Sequence, residues 1–222
     1  MCGRFSQHYT WQQIHNFSNP LTLAAGRGNL QQRYNIAPTT NVDIIVPSEA
    51  GRELISARWW LVPAWWKKSL KEVPSTFNAR VETVDTSPMF RDAFRRKRCI
   101  VPASGFFEWT GPKTDRIPHY FSAADDGLLG IAGLWERWQS PEGEDVTSCT
   151  MVVRDADEWT ARYHDRMLSF LQPEDFDAWL SGSAGKDLLR KTPPKLQEWV
   201  VDKRVNKTGQ GDDEPATIER DS

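Results

Sequence analysis

The sequence predicts a compact, antiparallel β-rich α+β domain that is barrel-like and has helices at its periphery. Short apolar runs rich in β-branched and aromatic residues are separated by Gly, Asp and Pro turns, a pattern typical of antiparallel strands. The order of the elements argues against a chain of βαβ units. At 222 residues the chain is long enough for one domain with a substantial core.

The predicted strands are apolar runs bounded by turn residues. In chain order they are Val42–Val46, Glu53–Trp60, Cys99–Phe107, Ile117–Ala124, Leu129–Trp135, Val146–Val153 and Trp199–Val201. The first two are expected to pair antiparallel across a turn at Ser48–Gly51. The third is broken at Ala103–Gly105 and delivers Glu108 at its end.

The predicted helices begin at capping residues or at proline. They are Ser6–Phe17 with Ser6 or Thr10 as N-cap, Ser87–Phe94 with Ser87 as N-cap, Asp155–Tyr163, Pro173–Leu180 and Gly185–Arg190. Residues 24–32 are polar and indicate a loop. One domain is expected over residues 1–207. Residues 208–222 are acidic and glycine-containing, and they are expected to form a flexible tail that is disordered or only loosely docked.

Composition and charge exclude several classes of protein. A net charge of −2 and a pI near 6.1 argue against a globally basic nucleic-acid binder, although they allow a local basic groove. Three widely spaced cysteines give neither a disulfide framework nor metal-ligand pairs, which fits a reducing compartment. Neither a membrane-spanning run nor a signal-peptide pattern is present, so we expect a soluble intracellular protein. Eleven tryptophans favour a groove that stacks on a ligand.

The chain begins Met1-Cys2-Gly3-Arg4, and an initiator methionine before a small residue is normally removed. Cys2 would then carry an amine and a thiol on adjacent carbons, both partly nucleophilic near neutrality. The amine can condense with an aldehyde to an imine, and the thiol can then close a five-membered thiazolidine. Gly3 would allow another chain to approach closely, and Arg4 supplies a cation. From these residues alone, an arbitrary small residue at position 2 is the simpler interpretation.

Two further stretches can each be interpreted in two ways. Trp59–Lys68 holds two tryptophan pairs followed by lysines, which suits stacking on bases or sugars and equally suits a loop that caps the core. The basic run Arg95–Arg98 is typical of a solvated face, and phosphate contact is the less common alternative.

Two side chains are candidates for proton transfer. Glu108 ends a buried strand between Phe107 and Trp109, a setting in which a carboxyl pKa rises. On this one residue alone, however, an ordinary glutamate at the end of a strand is the preferred interpretation. His164 precedes an aspartate and an arginine in a loop, which suits a catalytic or phosphate site, although most histidines have neither role.

Six motifs, taken in order, are far more specific than any one of them. They are Met1–Phe5, Tyr34–Pro38, Trp59–Trp65, Phe77–Thr83, Pro102–Trp109 and His164–Met167. This set closely resembles the SRAP family, the SOS-response-associated peptidases or abasic-site processing proteins. The resemblance implies a β-rich α+β fold with a positively charged groove for single-stranded DNA. It also implies that Met1 is removed, by an aminopeptidase or by the protein itself, and that Cys2 captures the aldehyde of an abasic site as a thiazolidine crosslink.

The resemblance implies a role for each matching residue. Cys2 would be the nucleophile, and Asn78 would orient its amine and the sugar oxygen. Glu108 would transfer protons during sugar ring opening and release of the leading peptide. His164 would shuttle protons to the imine or to the opened sugar hydroxyl. The implied DNA contacts are phosphate-gripping arginines and apolar wedges, namely Arg4, Arg80, Arg166, Pro38, Trp65 and Trp66.

The resemblance also implies partners and a location, and the chain departs from the family pattern at two positions. It implies a monomer without cofactor or metal, acting on abasic sites in single-stranded DNA, with replication-fork proteins as further partners and a cytoplasmic or nucleoid-associated location. Leu168 stands where the family commonly has proline, which would alter the loop that holds His164. Val153-Arg154 stands where the family tends to carry threonines, so Arg154 would replace a hydroxyl contact to DNA.

Two other functions stay open at this point. An N-terminal Cys-Gly also opens the glutamine amidotransferases of the N-terminal-nucleophile type, whose thiol attacks an amide. Those enzymes need a synthase domain for which this chain has no room. A module that grips single-stranded DNA without a covalent step would be indifferent to the loss of Cys2. Cys2 together with Asn78 and Glu108 favours the covalent hypothesis.

Overall fold

The computed structural model describes residues 2–25, 29–140 and 142–221. In these ranges it holds the helices α1 (Trp11–Phe17), α2 (Arg91–Arg96) and α3 (Phe176–Leu180). The strands are β1 (Phe5–Gln7), β2 (Leu21–Leu23), β3 (Arg33–Ile36), β4 (Asn41–Ser48), β5 (Gly51–Trp59), β6 (Asn78–Arg80), β7 (Arg98–Ala103), β8 (Gly105–Thr110), β9 (Ile117–Ala123), β10 (Leu129–Gln139), β11 (Asp145–Asp155), β12 (Arg166–Leu168), β13 (Phe170–Leu171) and β14 (Leu196–Val200). Met1 and part of the predicted loop, residues 26–28, lie outside the described residues.

The strands form two sheets. The smaller sheet has the order β14-β9-β8-β1-β3, and each neighbouring pair in it is antiparallel. The larger sheet follows the order β12-β11-β10-β7-β4-β5-β2, with β13 on β10 and β6 on β11. Its long strands are mainly antiparallel, but β2 and β11 pair parallel to β5, and β6 pairs parallel to β11. The predicted β-rich α+β fold is therefore confirmed, with short parallel pairings added to it.

The larger sheet is buried on both faces because its strands point successive side chains toward two different cores. On β4, Val42 and Ile44 pack into a core shared with the smaller sheet, whereas Ile45 packs into a second core against the helices. The smaller sheet contributes Phe5, Ile36, Phe106 and Phe121 to the shared core. The helices contribute Ile14, Phe94 and Trp179 to the second core. This arrangement holds β1 and β8, and with them the start of the chain, next to the shared core.

The seven predicted strands are present, with bounds that differ from the prediction by a few residues. β4 and β5 pair antiparallel, with Ser48 opposite Gly51 at the predicted turn. Ser104 separates β7 from β8, as the predicted break required. Gly105 opens β8, where an added Cβ would collide with the Tyr120 ring and the Phe121 carbonyl. A glycine is thus needed for β8 and β9 to approach closely enough to pair.

The first two predicted helices are shorter than expected. Ser6 belongs to β1, and Thr10 is the N-cap of α1, where its hydroxyl accepts from the Gln13 amide at 3.2 Å. The prediction of Ser87 as an N-cap is wrong, because α2 begins at Arg91. The Ser87 carbonyl instead accepts from the amides of Phe90 and Arg91 in the turn before α2.

The later predicted helices are largely 3₁₀ turns. The prediction of a helix over 155–163 is wrong for its first half, because Asp155 pairs with Arg166 at the end of β11 and only Thr160–Arg162 is helical. Pro173–Asp175 is a 3₁₀ turn that continues into α3. Lys186–Arg190 is 3₁₀ rather than α-helical, with Leu188 and Leu189 buried.

The C-terminal segment is packed onto the domain, contrary to the expected flexible tail. Asp212 supplies its backbone carbonyl to the Tyr34 amide at 2.7 Å and its carboxylate to the Asn35 amide at 2.9 Å. The same carboxylate forms an ion pair with Arg33 at 2.7 Å. Thr217 is buried and donates to the Gly211 carbonyl. Composition alone does not predict this packing, because the polar residues of this segment hydrogen-bond to the free edge of β3 instead of to water.

Among the described residues, the three α-helices and the 3₁₀ turns are all too short or too polar to cross a membrane.

Candidate active site

Cys2 is placed by the strand that follows it. β1 pairs antiparallel with β8, with Phe5 opposite Phe106, and the Phe107 amide donates to the Arg4 carbonyl at 3.0 Å. This register brings the residue before β1 beside Glu108 on β8. The Cys2 Sγ donates to Glu108 Oε1 at 2.6 Å, and each residue is 2% exposed. The predicted nucleophile and the predicted proton carrier are therefore in direct contact.

Burial sets the protonation of this pair. It raises the pKa of Glu108 to about 7, although the hydrogen bond from Cys2 acts in the opposite direction. Burial and the neighbouring Glu108 carboxylate raise the pKa of the Cys2 thiol well above its ordinary value. A carboxyl that titrates near neutrality can both accept and return a proton at physiological pH. Glu108 is therefore a proton acceptor in direct contact with the thiol.

Asn78 approaches Cys2 from the other sheet. It begins β6, which pairs parallel to β11 with Asn78 opposite Met151. Its Nδ2 donates to the Cys2 carbonyl at 2.8 Å. Its Oδ1 is buried and has no hydrogen-bond partner in the described part of the chain. The amide therefore fixes the Cys2 backbone and keeps one buried acceptor available for a donor on a substrate or on the Cys2 amine.

His164 lies between the 3₁₀ turn Thr160–Arg162 and β12. Its Nδ1 accepts from the Arg166 amide at 2.9 Å and also lies 2.7 Å from Asp165 Oδ1. Burial lowers the pKa of His164, whereas Asp165 acts to raise it. Because Asp165 is solvent-exposed, we take the amide as the contact that sets the tautomer. The neutral imidazole then carries its proton on Nε2.

Glu108 and His164 line the same open cleft of about 870 Å³. The wall of the cleft is rich in cations, because Arg4, Lys113, Arg116 and Lys203 all contribute to it. The other residues that line it are Gly3, Phe77, Trp109, Gly111, Thr114, Asp115 and Asn206. Asp115 forms an ion pair with Lys203. Once Lys203 is paired with Asp115, the cleft lining still holds three cationic side chains and one carboxyl. This excess of positive charge suits an anionic ligand.

The three arginines expected at DNA phosphates differ in what they already bind. Arg4 is buried and donates to Asn35 Oδ1 at 2.5 Å and to the Val205 carbonyl at 2.7 Å. Arg166 forms ion pairs with Glu82 at 2.8 Å and Asp155 at 3.2 Å. Arg80 is exposed, and among the described residues no acidic side chain forms an ion pair with it. Arg80 is therefore the arginine of the three that is most available to a ligand.

The expected apolar wedges do not line this cleft. Trp65 is 45% exposed and lines a separate pocket of about 270 Å³ with Pro88, Met89 and Arg96. Trp66 packs against a small apolar cluster, and its indole donates to the Ser69 carbonyl at 3.2 Å. Pro38 is half-buried beside the turn that follows β3. Trp65 is therefore exposed at a pocket, whereas Trp66 is packed against the protein.

The two departures from the family pattern have structural explanations. Leu168 is buried and pairs with Val153, so the position expected to hold proline is the end of β12. Arg154 donates to the Arg190 carbonyl at 2.9 Å, which ties β11 to the 3₁₀ turn Lys186–Arg190. Its guanidinium is therefore engaged within the chain rather than replacing a hydroxyl at the cleft.

Sequence reasoning did not assign the rim of the cleft. The loop between β8 and β9, residues 111–116, carries Lys113 and Arg116 directly after the strand of Glu108. Asn206 fixes this rim, because it accepts from the Trp109 indole at 2.6 Å and donates to the Arg116 carbonyl at 3.1 Å. A basic turn that follows a candidate catalytic glutamate is the signal in the sequence that points to this rim. Across the described residues, no group of three or more His, Cys, Asp or Glu side chains is arranged to hold a metal ion.

Taken together, the β-rich fold and the Cys2–Glu108 pair define a domain with a buried thiol–carboxyl pair near the start of the chain, beside a cleft charged for an anionic ligand. Comparison with known proteins makes this class specific. Residues 1–208 match the SOS response associated peptidase (SRAP) family, and the chain belongs to that family.

Relatives with assigned names are similar over most of the chain. Abasic site processing protein YoqW of Bacillus subtilis is 35% identical over 183 residues, which is 82% of this chain and 80% of that protein. Abasic site processing protein YedK of Escherichia coli is 29% identical over 190 residues, 81% of this chain and 79% of that protein. A crystal structure from Bacteroides thetaiotaomicron has the same fold, with a TM-score of 0.86 and 23% identity over the full length of both chains. One from Bordetella bronchiseptica has a TM-score of 0.78 and 26% identity, covering 90% of this chain and all of that one.

Proposed function

We propose that this chain recognises abasic sites in single-stranded DNA and captures them covalently through Cys2 after Met1 has been removed. The observation that carries the proposal is the 2.6 Å contact between the Cys2 thiol and the buried Glu108, which lines a cationic cleft. Family membership and the names of the relatives support abasic DNA as the substrate.

The proposal includes removal of Met1 by the protein itself, a hydrolysis in which Glu108, the carboxyl in contact with Cys2, acts as the base. Water adds to the Met1 carbonyl carbon, and the bond from that carbon to the Cys2 nitrogen breaks. A base takes a proton from the water and returns one to the leaving amine. The pKa of Glu108, which burial raises to about 7, fits both halves of this transfer near neutral pH.

Capture of the lesion then needs no cofactor. The Cys2 amine attacks C1′ of the ring-opened sugar, water leaves, and an imine forms. The thiol adds across the imine, so that a bond forms between Sγ and C1′ while the thiol proton ends on nitrogen. Glu108 accepts the thiol hydrogen bond and provides the path for this proton. The product is a thiazolidine, and no atom is oxidised or reduced.

Asn78 and His164 have supporting roles in this scheme. The Asn78 amide holds the Cys2 carbonyl, and its buried Oδ1 accepts from the Cys2 amine. The neutral His164 presents its Nε2 proton to the sugar oxygen that is released when the ring opens. The cations of the cleft rim bind the phosphates that flank the lesion.

The decisive experiment mixes purified protein with single-stranded DNA that contains one abasic site. Wild type, Cys2→Ala and a variant with one extra residue before Cys2 are compared by denaturing electrophoresis and intact-mass analysis. We expect a covalent, mass-shifted product in wild type alone, in protein that has lost the mass of Met1. Undamaged DNA of the same sequence is the matched control.

Other outcomes identify the other functions. If wild type loses Met1 but forms no covalent product, the proposal is wrong. Salt-sensitive binding that Cys2→Ala leaves unchanged then indicates a non-covalent single-stranded DNA module. Release of ammonia from glutamine by wild type, abolished in Cys2→Ala, indicates an amidase instead.

A further inference from the structure

Four polar side chains beside the cleft form a continuous hydrogen-bond network that the proposed chemistry does not use. Thr110 Oγ1 lies 2.7 Å from His119 Nε2, and His119 Nδ1 lies 2.5 Å from Glu198 Oε1. The hydroxyl of Tyr163 donates to Glu198 Oε2 at 2.9 Å. Both carboxylate oxygens of Glu198 therefore have a partner, and so do both ring nitrogens of His119.

The network joins the smaller sheet to the segment that carries His164. Thr110, His119 and Glu198 belong to β8, β9 and β14, three neighbouring strands, whereas Tyr163 directly precedes His164. His119 is also the residue opposite Glu108 in the pairing of β8 with β9. The network therefore touches the strand of one candidate proton carrier and the loop of the other.

The ring of Tyr163 is seated as firmly as its hydroxyl. It packs edge-on against Phe121 at 5.0 Å and against His119 at 4.9 Å. The backbone continues this anchoring, since the His164 amide donates to the Thr160 carbonyl at 3.1 Å. A residue fixed at both its ring and its hydroxyl restricts the backbone of its neighbour, because the two share a peptide bond.

We propose that Tyr163, held by Glu198 and His119, is a positioning residue that fixes the orientation of His164 in the cleft. The proposal rests on the proposed function, in which His164 presents its Nε2 proton to the substrate. Tyr163 itself touches no reacting atom. Its hydroxyl donates to Glu198 Oε2, and the other oxygen of that carboxyl is held by His119, so the acceptor itself is fixed in place. Burial, and next the hydrogen bond to Glu198, raise the pKa of Tyr163, so its hydroxyl remains a donor throughout the working range.

The test removes the hydroxyl and keeps the ring. We expect Tyr163→Phe to form the covalent product about tenfold more slowly than wild type, because a catalytic group displaced by a fraction of an ångström loses rate steeply. Its affinity for undamaged single-stranded DNA is expected to be unchanged. Tyr34→Phe is the matched control, since the Tyr34 hydroxyl donates to Gln32 at 2.9 Å outside the cleft lining. An unchanged rate in Tyr163→Phe overturns the proposal.

A double-mutant cycle separates positioning of His164 from a general loss of structure. In a His164→Ala background, Tyr163→Phe is expected to cause no further loss of rate. A further tenfold loss there overturns the proposal. Glu198→Ala should behave like Tyr163→Phe, whereas Glu198→Gln, which keeps an acceptor for the tyrosine, should restore most of the rate.

A measurement without DNA distinguishes a failure of this proposal from a failure of the proposed function. The imidazole resonances of His164, assigned by their absence in His164→Gln, are titrated by NMR in wild type and in Tyr163→Phe. Asp165, Arg166 and the amine at the start of the chain act electrostatically on this ring, and Glu108 lines the same cleft. We expect the His164 midpoint in Tyr163→Phe to rise toward the ordinary histidine value as the ring gains contact with water. Identical titrations overturn the positioning role, whereas absence of crosslinking in wild type with a shifted midpoint contradicts only the proposed function.

Discussion

At the scale of single residues, Glu108 combines a function with a cost to stability. The carboxyl is 2% exposed and accepts from Cys2, and burial raises its pKa to about 7. An unfolded chain has a glutamate pKa of about 4.3. Between about pH 4.3 and 7 the folded chain therefore binds more protons at this site than the unfolded chain. The free energy of unfolding consequently falls as the pH rises through this window.

Glu108→Gln should remove this loss of stability. We expect the Tm of the variant to exceed that of wild type by roughly 10 °C at pH 8, because a rise in pKa from about 4.3 to about 7 is worth about 3.7 kcal/mol and each kcal/mol about 2–4 °C. At pH 4, below both pKa values, the two Tm values should nearly coincide. Calorimetry at both pH values makes the measurement, on samples shown by intact mass to have the same first residue.

Glu158→Gln is the control for this prediction, since it removes a carboxylate that is exposed to solvent. Its Tm should follow that of wild type at both pH values. A Glu108→Gln variant that is less stable than wild type at pH 8 would show that the carboxylate is stabilised rather than strained in the fold.

The candidate residues could be named from sequence, but their surroundings could not. The resemblance pointed to Cys2, Asn78, Glu108 and His164, and the structure places the first three in direct contact. From its local sequence alone, Glu108 was best explained as an ordinary glutamate at the end of a strand. The local sequence does not reveal that it contacts a thiol 106 residues away. Whether these groups perform the assigned steps stays a prediction.

At the scale of elements, the β8–β9 loop determines how the cleft meets an anion. Lys113 and Arg116 are exposed on this loop, and Asn206 fixes the Arg116 carbonyl. We expect the double variant Lys113→Ala/Arg116→Ala to bind undamaged single-stranded DNA more weakly. The slope of log K against log salt concentration should fall by about 1.4, because each phosphate contact on a single strand contributes about 0.7. Fluorescence anisotropy over a series of salt concentrations measures both quantities.

Helix α2 offers a matched control for this loop. Arg91→Ala/Arg95→Ala removes the same charge from α2, at exposed positions that line neither the cleft nor the pocket of Trp65. Its salt slope should equal that of wild type. Equal effects from the two double variants would mean that net charge, and not the rim of the cleft, governs binding.

The tryptophan pair before Lys67 separates two roles that sequence could not distinguish. Trp65→Ala should weaken binding of undamaged single-stranded DNA by about 1–3 kcal/mol through lost stacking, with little change in Tm. Trp66→Ala should instead lower the Tm by several degrees, because Trp66 packs against Val62, Val73 and Trp138. Anisotropy and calorimetry on both variants make the comparison. Unchanged binding by Trp65→Ala would restrict both tryptophans to a structural role.

Strand prediction succeeded where helix prediction did not, for a physical reason. β4, β7 and β11 are long alternating or apolar runs whose period survives in the structure. The stretch over 155–163 has helical composition, but pairing of Asp155 with Arg166 extends β11 into it. Long-range pairing of this kind overrides weak local propensity.

At the scale of the whole molecule, the chain from Val205 onward holds Arg4 and β3 in place. Arg4 donates to the Val205 carbonyl, and Asn35 Nδ2 donates to the carbonyls of Lys207 and Gln210 at 3.2 and 2.5 Å. A flexible tail was expected because composition does not reveal that the free edge of β3 needs partners. The segment therefore belongs to the folded unit, although the family match ends at residue 208.

Asp212→Ala should destabilise the whole domain. The change leaves the Asn35 amide and the Arg33 Nε without their acceptor, at a cost of about 1–3 kcal/mol and roughly 2–4 °C per kcal/mol. Asp213→Ala, which removes the same charge from the next, exposed position, is the control and should leave the Tm unchanged. Equal thermal denaturation of the two variants would show that the segment does not contribute to stability.

The wide separation in sequence of the contacting residues has a consequence for the order of events during synthesis. Glu108 follows Cys2 by 106 residues, and a ribosome needs roughly 5–20 s to add that length of chain. During this interval β1 has no β8 to pair with, and the first residues remain accessible to enzymes that trim nascent chains. Once β1 has paired, Cys2 is 2% exposed and no longer offers an extended end to a separate aminopeptidase. If Met1 is removed as we propose, the timing of folding decides whether another enzyme removes it early or the groups around Glu108 remove it later.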